Sequence, residues 1–502
     1  MASRTILVFG DQLNRSIGLL RTAEPATDHV LMVESGHKIA SAKWHRQRLH
    51  FYLSSMRHFA QELRAEGFTV SYVKAASFTE ALTEHRASHP GREIVATEPN
   101  SWSARKLLEQ LDVPTTASDQ FLTHHLEFVA WVESRRAKGY KTFKMEDFYR
   151  HQRVRLGILI DGSEPAGGRW NFDGDNREPP PRDGHDRWPK PLRTLLDDTD
   201  LDVLHELPEN MTGVSPDGTW ATTRSEALRR LTHFVDKVLP MFGPHEDAML
   251  ANNWHLAHSL LSPYLNNGLL LPGEVVAAAE AAFREGRVPI ASVEGFIRQI
   301  IGWREYVWGL YWMWMPEYKS ENVLDAHLDL PPLFDGGTSS MRCISHVMQT
   351  IDSYSWAHHI QRLMILGNLA LTAGINPQQF TDWMSRVFID AADWVMVPNV
   401  VGMALHADGG RMATKPYASG GAYVDKMSDY CKGCAYDRKA RVGTKACPFT
   451  TLYWDFLDRH HDRFVRNARV ATQARAARKL TDLPEVRARA VEVRRRLLDG
   501  TL

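Results

Sequence analysis

The chain has 502 residues, with 60 basic and 60 acidic side chains, 43% hydrophobic and 24% charged residues. This length allows two or three domains, the composition excludes a disordered or fibrous protein, and cancelling charges mean that a polyanion would have to meet a local patch. No apolar run approaches the ~18 residues of a membrane span, and MASRTILVFGDQL enters a strand without a basic leader, so the sequence predicts a cytoplasmic protein with no membrane partner.

Residues 1–130 alternate β-branched runs with helical patterns. TILVFG, HVLMVES, FTVSYV and REIVATEP read as buried strands, and 41–66 and 78–88 as amphipathic helices. That alternation predicts an α/β domain with a doubly wound parallel sheet, whose ligands lie beyond the carboxyl ends of its strands. Phe9, Gly10, Asp11 and Gln12 follow the first strand, and Glu34 ends the second. Neither GxGxxG nor GxxxxGK[ST] occurs, so a generic dinucleotide or nucleoside triphosphate site is unsupported.

Residues 131–225 read as an interdomain connection. Its stretch 161–191 holds five Gly and six Pro, a composition that builds no regular element. The stretch reads as solvated linker, with phosphate contact by Arg182 or Arg187 as the minor alternative. From 226 to 502 strand patterns nearly vanish and helical periodicity takes over, which predicts an all-helical domain. Its last stretch, 459–502, carries eleven Arg and reads as a solvated face or a phosphate-facing one.

Four cysteines are too few for a disulfide scaffold, yet Cys431, Cys434 and Cys447 fall close together and Cys343 is the only other. Cys-x2-Cys-x12-Cys plus one matches a four-thiolate site for zinc or an iron–sulfur cluster. Pro448 after the last cysteine and the missing second Cys-x2-Cys knuckle favour iron and sulfur; inert thiols or a redox pair are the alternatives. Trp303, Trp308, Trp312 and Trp314 crowd one segment, with Trp356, Trp383 and Trp394 further on, and by default these fill a core. His358 and Arg362 fall four apart on one helical face with His359 beside them, and imidazole suits proton transfer near neutral pH.

Taken together, VFGDQL, His258-Ser-Leu-Leu-Ser-Pro-Tyr-Leu-Asn-Asn-Gly268, Gly302-Trp-Arg-Glu-Tyr306, the run from His358 to Gly367, Asp393-Trp-Val-Met-Val-Pro-Asn399 and the four cysteines resemble the photolyase/cryptochrome family. The likeness is to its bacterial iron–sulfur branch, which includes prokaryotic 6-4 photolyases and cryptochromes of the CryB type. The resemblance implies FAD held by Ser259, Leu260, Leu261 and Ser262, by Gln299, Trp303 and Arg304, by Arg362, and by Asp390, Asp393 and Asn399, with Asn399 at the flavin N5. It implies a 4Fe-4S cluster on Cys343, Cys431, Cys434 and Cys447, and a 6,7-dimethyl-8-ribityllumazine antenna near Phe9, Asp11, Gln12, Glu34 and Lys43.

His359 would act as general acid with His358 in support, and Met403, Tyr417 and Tyr423 would line a pocket for the lesion in UV-damaged DNA. Trp383 and Trp394 would carry electrons, although Asp335 stands where some branch members place a relay tryptophan. The implied activity is light-driven repair of 6-4 photoproducts by a monomer of the bacterial cytoplasm. A photoreceptor without repair is the main alternative, and a non-photochemical nucleic-acid-binding module is a third.

Overall fold

In a computed structural model of the chain, residues 4–181 and 187–502 are described. Five parallel strands, β1 (Arg4–Val8), β2 (His29–Ser35), β3 (Thr69–Ala75), β4 (Glu93–Thr97) and β5 (Thr115–Thr116), form a sheet in the order β3-β2-β1-β4-β5. β2 is buried at every residue, as expected of a strand covered on both faces, whereas β3 is half-exposed at one edge. The chain moves outward from β1 to β3 and then returns to place β4 on the other side of β1, so the sheet reverses direction between β1 and β4. Asp11 and Glu98 follow those two strands, and the Gln12 amide donates to the Glu98 carbonyl at 2.8 Å across the crevice.

The helix Phe78–Ser88 forms where the sequence predicts it, capped by the Ser77 hydroxyl, which accepts from the Glu80 N–H. The predicted 41–66 helix starts later, at Arg46, behind a short helix Gly36–Ala40 and a turn. Leu7, Phe9, Leu31 and Val33 point to one face of the sheet and pack on Ala81, Leu82 and Leu108. Ile6, Val8, Val30 and Met32 point to the other, against the helix Arg46–Ala65, and this core runs without a break into the helical domain.

Residues 131–225 do not form a separate piece. The helix His125–Ala137 crosses the expected boundary at 130, and both it and Met145–Leu156 pack on the helical domain, while Asp198–Glu206 packs on Arg46–Ala65 of the sheet domain. The stretch around 161–191 is irregular as expected, with two residue pairs of strand and two short 3₁₀ turns among its described residues, and 207–223 is irregular as well. The two domains dock through Gly268, at φ +91°, where a Cβ would sit 2.8 Å from the Leu13 nitrogen. The same contact holds the Leu13 N–H on the Asn267 carbonyl at 2.9 Å and the Asn14 amide on the Gly268 carbonyl at 3.0 Å.

Beyond 226 the described residues form helices, several opened by proline at the first turn, as at Pro272, Pro377 and Pro448. Four segments wind as π-helix among the described residues: Phe234–Val238, and three within longer helical runs around one cavity, Arg298–Arg304, Gln361–Gly367 and Pro398–Ala404. Such turns concentrate at functional sites because they splay side chains that an α-helix would keep in register. Among the described residues no helix is long and apolar enough to cross a membrane.

Candidate active site

Those three of the π-helical segments converge on a cavity of about 360 Å³, within the range of small-molecule and cofactor sites. Gln299, Trp303 and Arg304 come from the first, Arg362 from the second, and Asn399 and Met403 from the third. Ser259, Leu260 and Ser262 approach from the loop before the helix Ser262–Asn267, with Leu260 in the left-handed region at φ +56°. Positive φ is costly for a branched side chain, so this loop is held in shape by its surroundings.

One side of the cavity is a closed polar network. Arg362 grips the Asp390 carboxylate with both terminal nitrogens, at 2.9 and 3.1 Å, and its Nε donates to the Ala357 carbonyl at 2.6 Å. The Ser262 hydroxyl donates to the same carboxylate at 2.7 Å, and the Asn266 amide donates to the Asp390 carbonyl at 2.8 Å. A bidentate arginine–carboxylate pair with every oxygen engaged is a rigid wall. Arg304 lies over Phe121 and Trp394, 4.1 and 5.0 Å from their ring centres, with Nε buried and unpartnered; burial pulls its pKa down to about 10 against the pull of Glu305. The Trp394 Nε1 and both nitrogens of His358 are likewise buried without a partner. Orphaned donors around an apolar cavity carry a desolvation cost that a bound ring with acceptors at its edge would relieve.

The other side holds three histidines. His258 stacks on His358 at 4.4 Å and 17°, and His359 stands edge-on to His258 at 5.6 Å. Burial drives the pKa of His258 and of His358 well below the usual value, and neighbouring cationic groups push in the same direction, so both rings are neutral. For His359, whose side chain is half-exposed to the cleft, desolvation is outweighed by Asp247, 3.4 Å away, and by Glu246, and the pKa rises. Glu246 itself is buried, accepts from the Gln299 amide at 2.8 Å, and is pushed up to about 7 by burial despite the nearby His359 and Arg298. Tyr417 and Tyr423 are half-buried and are not among the residues that line the cavity, although the charge of Asp247, the partner of His359, reaches both.

The four cysteines line one small pocket with Met341, Val424, Tyr430 and Phe449. Cys343 and Cys447 are buried, and Cys431 and Cys434 half-buried. Burial first, then the other thiols, raises the Cys343 pKa far above normal and pushes that of Cys431 up to about 12. Four soft donors from three separate segments, gathered in a dry pocket, form a donor set suited to a thiolate-bound metal centre.

A family model for deoxyribodipyrimidine photo-lyase-related proteins matches residues 6–214. A (6-4) photolyase of Agrobacterium fabrum is 41% identical over 483 residues, which cover 93% of this chain and 94% of that protein. The chain belongs to the photolyase/cryptochrome family. Two solved structures share the fold at 14% identity: a class III photolyase from Agrobacterium tumefaciens, with TM-score 0.54 over 100% of this chain and 97% of that one, and a Synechocystis cryptochrome, with TM-score 0.55 over 80% and 82%.

In this photolyase/cryptochrome chain several expected site residues lie elsewhere. Leu261 is fully buried in the core behind the loop, not on the cavity wall. Asp393 faces away from the cavity: it accepts from the Tyr311 hydroxyl at 2.6 Å and lies 3.8 Å from Lys319. Trp383 is also outside the cavity, buried against Phe334 and Phe380 with its Nε1 donating to the Phe334 carbonyl at 2.6 Å. Trp394 does line it, and from there a ladder of rings runs through Trp308 and Trp312 to half-buried Trp102, at 5.9, 5.5 and 6.2 Å. A second ladder leaves from Trp356 through Trp254, at 5.6 Å, to Tyr354, at 4.1 Å. Asp335, at the position without a relay tryptophan, lies 3.4 Å from Arg386.

Among the antenna candidates, Phe9 packs against Phe78 in the core on the far face of the sheet. Both oxygens of Glu34 are taken by Arg57, at 2.8 and 3.2 Å, and Tyr72 also donates to it. Lys43 is exposed in the turn before Arg46–Ala65. Asp11 remains at the sheet's carboxyl end, its pKa raised by burial to about 6 against the Asn100 hydrogen bond and the charge of Lys38. Burial lowers the pKa of Lys38, and Arg48 and Lys319 push it the same way against Asp393 and Asp11. Arg187 is exposed, stacked 4.9 Å over the buried Trp188, and Arg182 lies outside the described residues. The C-terminal arginines are largely committed to internal pairs: Arg459 and Arg494 to Asp455, and Arg487 to Asp458.

Sequence reading misses Asp247 and Glu246, and it reaches His258 only as the first residue of a loop motif. None of the three carries a periodic or spacing signal.

Proposed function

We propose that the chain is a DNA photolyase that repairs 6-4 pyrimidine–pyrimidone photoproducts with light. The observation that carries this reading is the placement of His359, paired with Asp247 at 3.4 Å, on the wall of a cavity that Met403 also lines. The likeness to the Agrobacterium fabrum (6-4) photolyase over nearly its whole length supports the same reading. A receptor that handles no lesion has no use for a proton donor there.

FAD bound in the cavity would supply the light-excited electron that the lesion takes up. Ser259, Leu260 and Ser262 with the Arg362–Asp390 pair would hold it, Gln299, Trp303 and Arg304 would cover it, and Asn399 would face its ring. Its apolar walls and orphaned donors fit a flat, acceptor-edged ring. His359 keeps one ring nitrogen on Asp247 and the other toward the substrate, so it delivers a proton to the hydroxyl that must return between the two pyrimidines. His358 and His258 stay neutral and fix the orientation of that ring by stacking and edge contact. Tyr417 and Tyr423 offer faces on which an extruded base stacks, and exposed Arg187 contacts phosphate.

The four cysteines would carry a 4Fe-4S cluster, the choice favoured by Pro448 after Cys447 and by the gathering of all four thiols on one pocket. A ribityllumazine antenna would lie beside Asp11 and Lys38, whose polar groups suit a polyol. The Trp394 and Trp356 ladders would replace the missing relay in reducing the flavin.

The test is repair of an oligonucleotide carrying one 6-4 photoproduct by chemically reduced protein under blue light, with dark and cyclobutane-dimer controls. Light-dependent loss of the 6-4 lesion alone supports the photolyase. Reduced FAD bound with no repair overturns it in favour of a photoreceptor.

A further inference from the structure

A second group of three histidines lies far from the cavity, at the amino edge of the sheet. His29 opens β2, His85 sits in the last turn of the helix Phe78–Ser88, and His89 follows one turn later at its end. His85 and His89 stack at 4.2 Å and 19°, and His29 stands edge-on to them at 5.1 and 4.7 Å. One ligand nitrogen from each ring lies within 4.8 Å of the other two. We propose that His29, His85 and His89 bind a transition-metal ion, with Zn²⁺ the best fit, as a three-histidine site with one open position.

The hydrogen bonds of the trio support this assignment. A metal-binding imidazole offers one nitrogen to the ion and has the other fixed by the protein. Here the His85 Nε2 meets the Thr5 hydroxyl at 2.9 Å, the His29 Nε2 meets the Ser71 hydroxyl at 2.8 Å, and the His89 Nδ1 meets the His85 carbonyl at 3.2 Å. Each of these contacts occupies one nitrogen of its ring. Zinc–nitrogen bonds of about 2.0–2.1 Å require ligand nitrogens roughly 3.3 Å apart, so His85 and His89 must turn out of their stack for both in-plane lone pairs to meet on one ion.

The surroundings set the character of the site. His29 and His85 are buried and His89 half-exposed, so an ion and one water enter from the His89 side. Burial, then the other imidazoles and Arg92, lower the pKa of His29 and bring that of His85 down to about 4, which keeps both in the neutral, ligating form. Arg92 is the one charge that acts on both rings, and it is tied to the Arg4 and Thr27 carbonyls at 3.3 and 3.0 Å. A cation so placed weakens ion binding, and the absence of a carboxylate from the trio directs the site to ions that prefer nitrogen, not to Mg²⁺ or Ca²⁺. An ion there would pin the end of the helix Phe78–Ser88 to β2 and stabilise the sheet domain by mass action.

The test uses full-length, flavin-loaded protein incubated with zinc chloride, passed through a desalting column and assayed for zinc, in wild type, His89→Gln and His29→Gln. Wild type should retain one zinc more per chain than either variant. Zinc should raise its melting temperature by several degrees more, and calorimetry should show at least tenfold weaker binding at this site in His89→Gln. Zinc held by the cysteines or by the cavity histidines is the same in all three proteins and cancels. Because His89 is half-exposed, His89→Gln keeps the fold even where His29→Gln does not. Equal zinc content and equal melting shifts in wild type and His89→Gln would overturn the proposal and leave the trio as packing.

Discussion

His258, His358 and His359 in the cavity and His29, His85 and His89 under the sheet are nearly the same object. Each has two rings stacked within 4.4 Å and a third standing edge-on. What differs is the nearest charge. Asp247 and Glu246 face the cavity trio and draw a proton onto His359; Arg92 faces the other, where the resolved shifts are downward. Burial and the neighbouring rings push the pKa down in both trios, and a facing carboxylate is what reverses that direction at His359.

Four experiments break or sharpen that contrast. The largest effect is expected where metal binding uses thiols in place of imidazoles: Cys434→Ser should lose essentially all iron and most soluble yield, read by iron analysis and gel filtration. Normal iron in that variant would remove the cysteine assignment. Next, His359→Ala should cut repair of the 6-4 lesion by roughly a hundredfold or more while FAD and DNA binding persist, measured by single-turnover repair and fluorescence titration. Near wild-type repair would take the proton donor elsewhere.

A smaller effect is expected from Asp247→Asn, which leaves the ring in place. His359 has a raised pKa, so its proton is present below that value and lost as pH rises through it, and repair should fall on the alkaline side. Without the carboxylate the falling limb should move to lower pH, so repair should drop most on the alkaline side of neutral and least on the acid side. An unshifted profile would mean that Asp247 acts only in packing. The smallest effect on repair is expected from His89→Gln, within twofold of wild type, because its trio serves the sheet domain alone.

The sheet was legible because its strands are short β-branched runs bounded by turns, and the helix Phe78–Ser88 because its cap and periodicity agree. The two-residue β5 was not, since nothing in Thr115–Thr116 separates a strand from a loop. The cysteines could be grouped by scarcity and the histidine pair by adjacency. Asp247 lies 112 residues from His359 in a turn-rich stretch, so only the folded chain brings the two together. Asp393 went astray for a related reason: a motif gives an order along the chain, but the facing of each side chain depends on local winding, which turned this one away from the cavity.

That winding has a consequence for how the protein tolerates change. A π-turn holds one residue more than the α-turn it interrupts. Removing a single residue from 298–304, 361–367 or 398–404 would let the helix relax to its ordinary pitch and pull back the side chains that the wide turn splays toward the cavity. The cavity wall would then be dismantled with every lining side chain still encoded. Substitution libraries over these segments should yield folded, flavin-binding variants far more often than one-residue deletion libraries, because the pocket is specified by chain length as much as by chemistry.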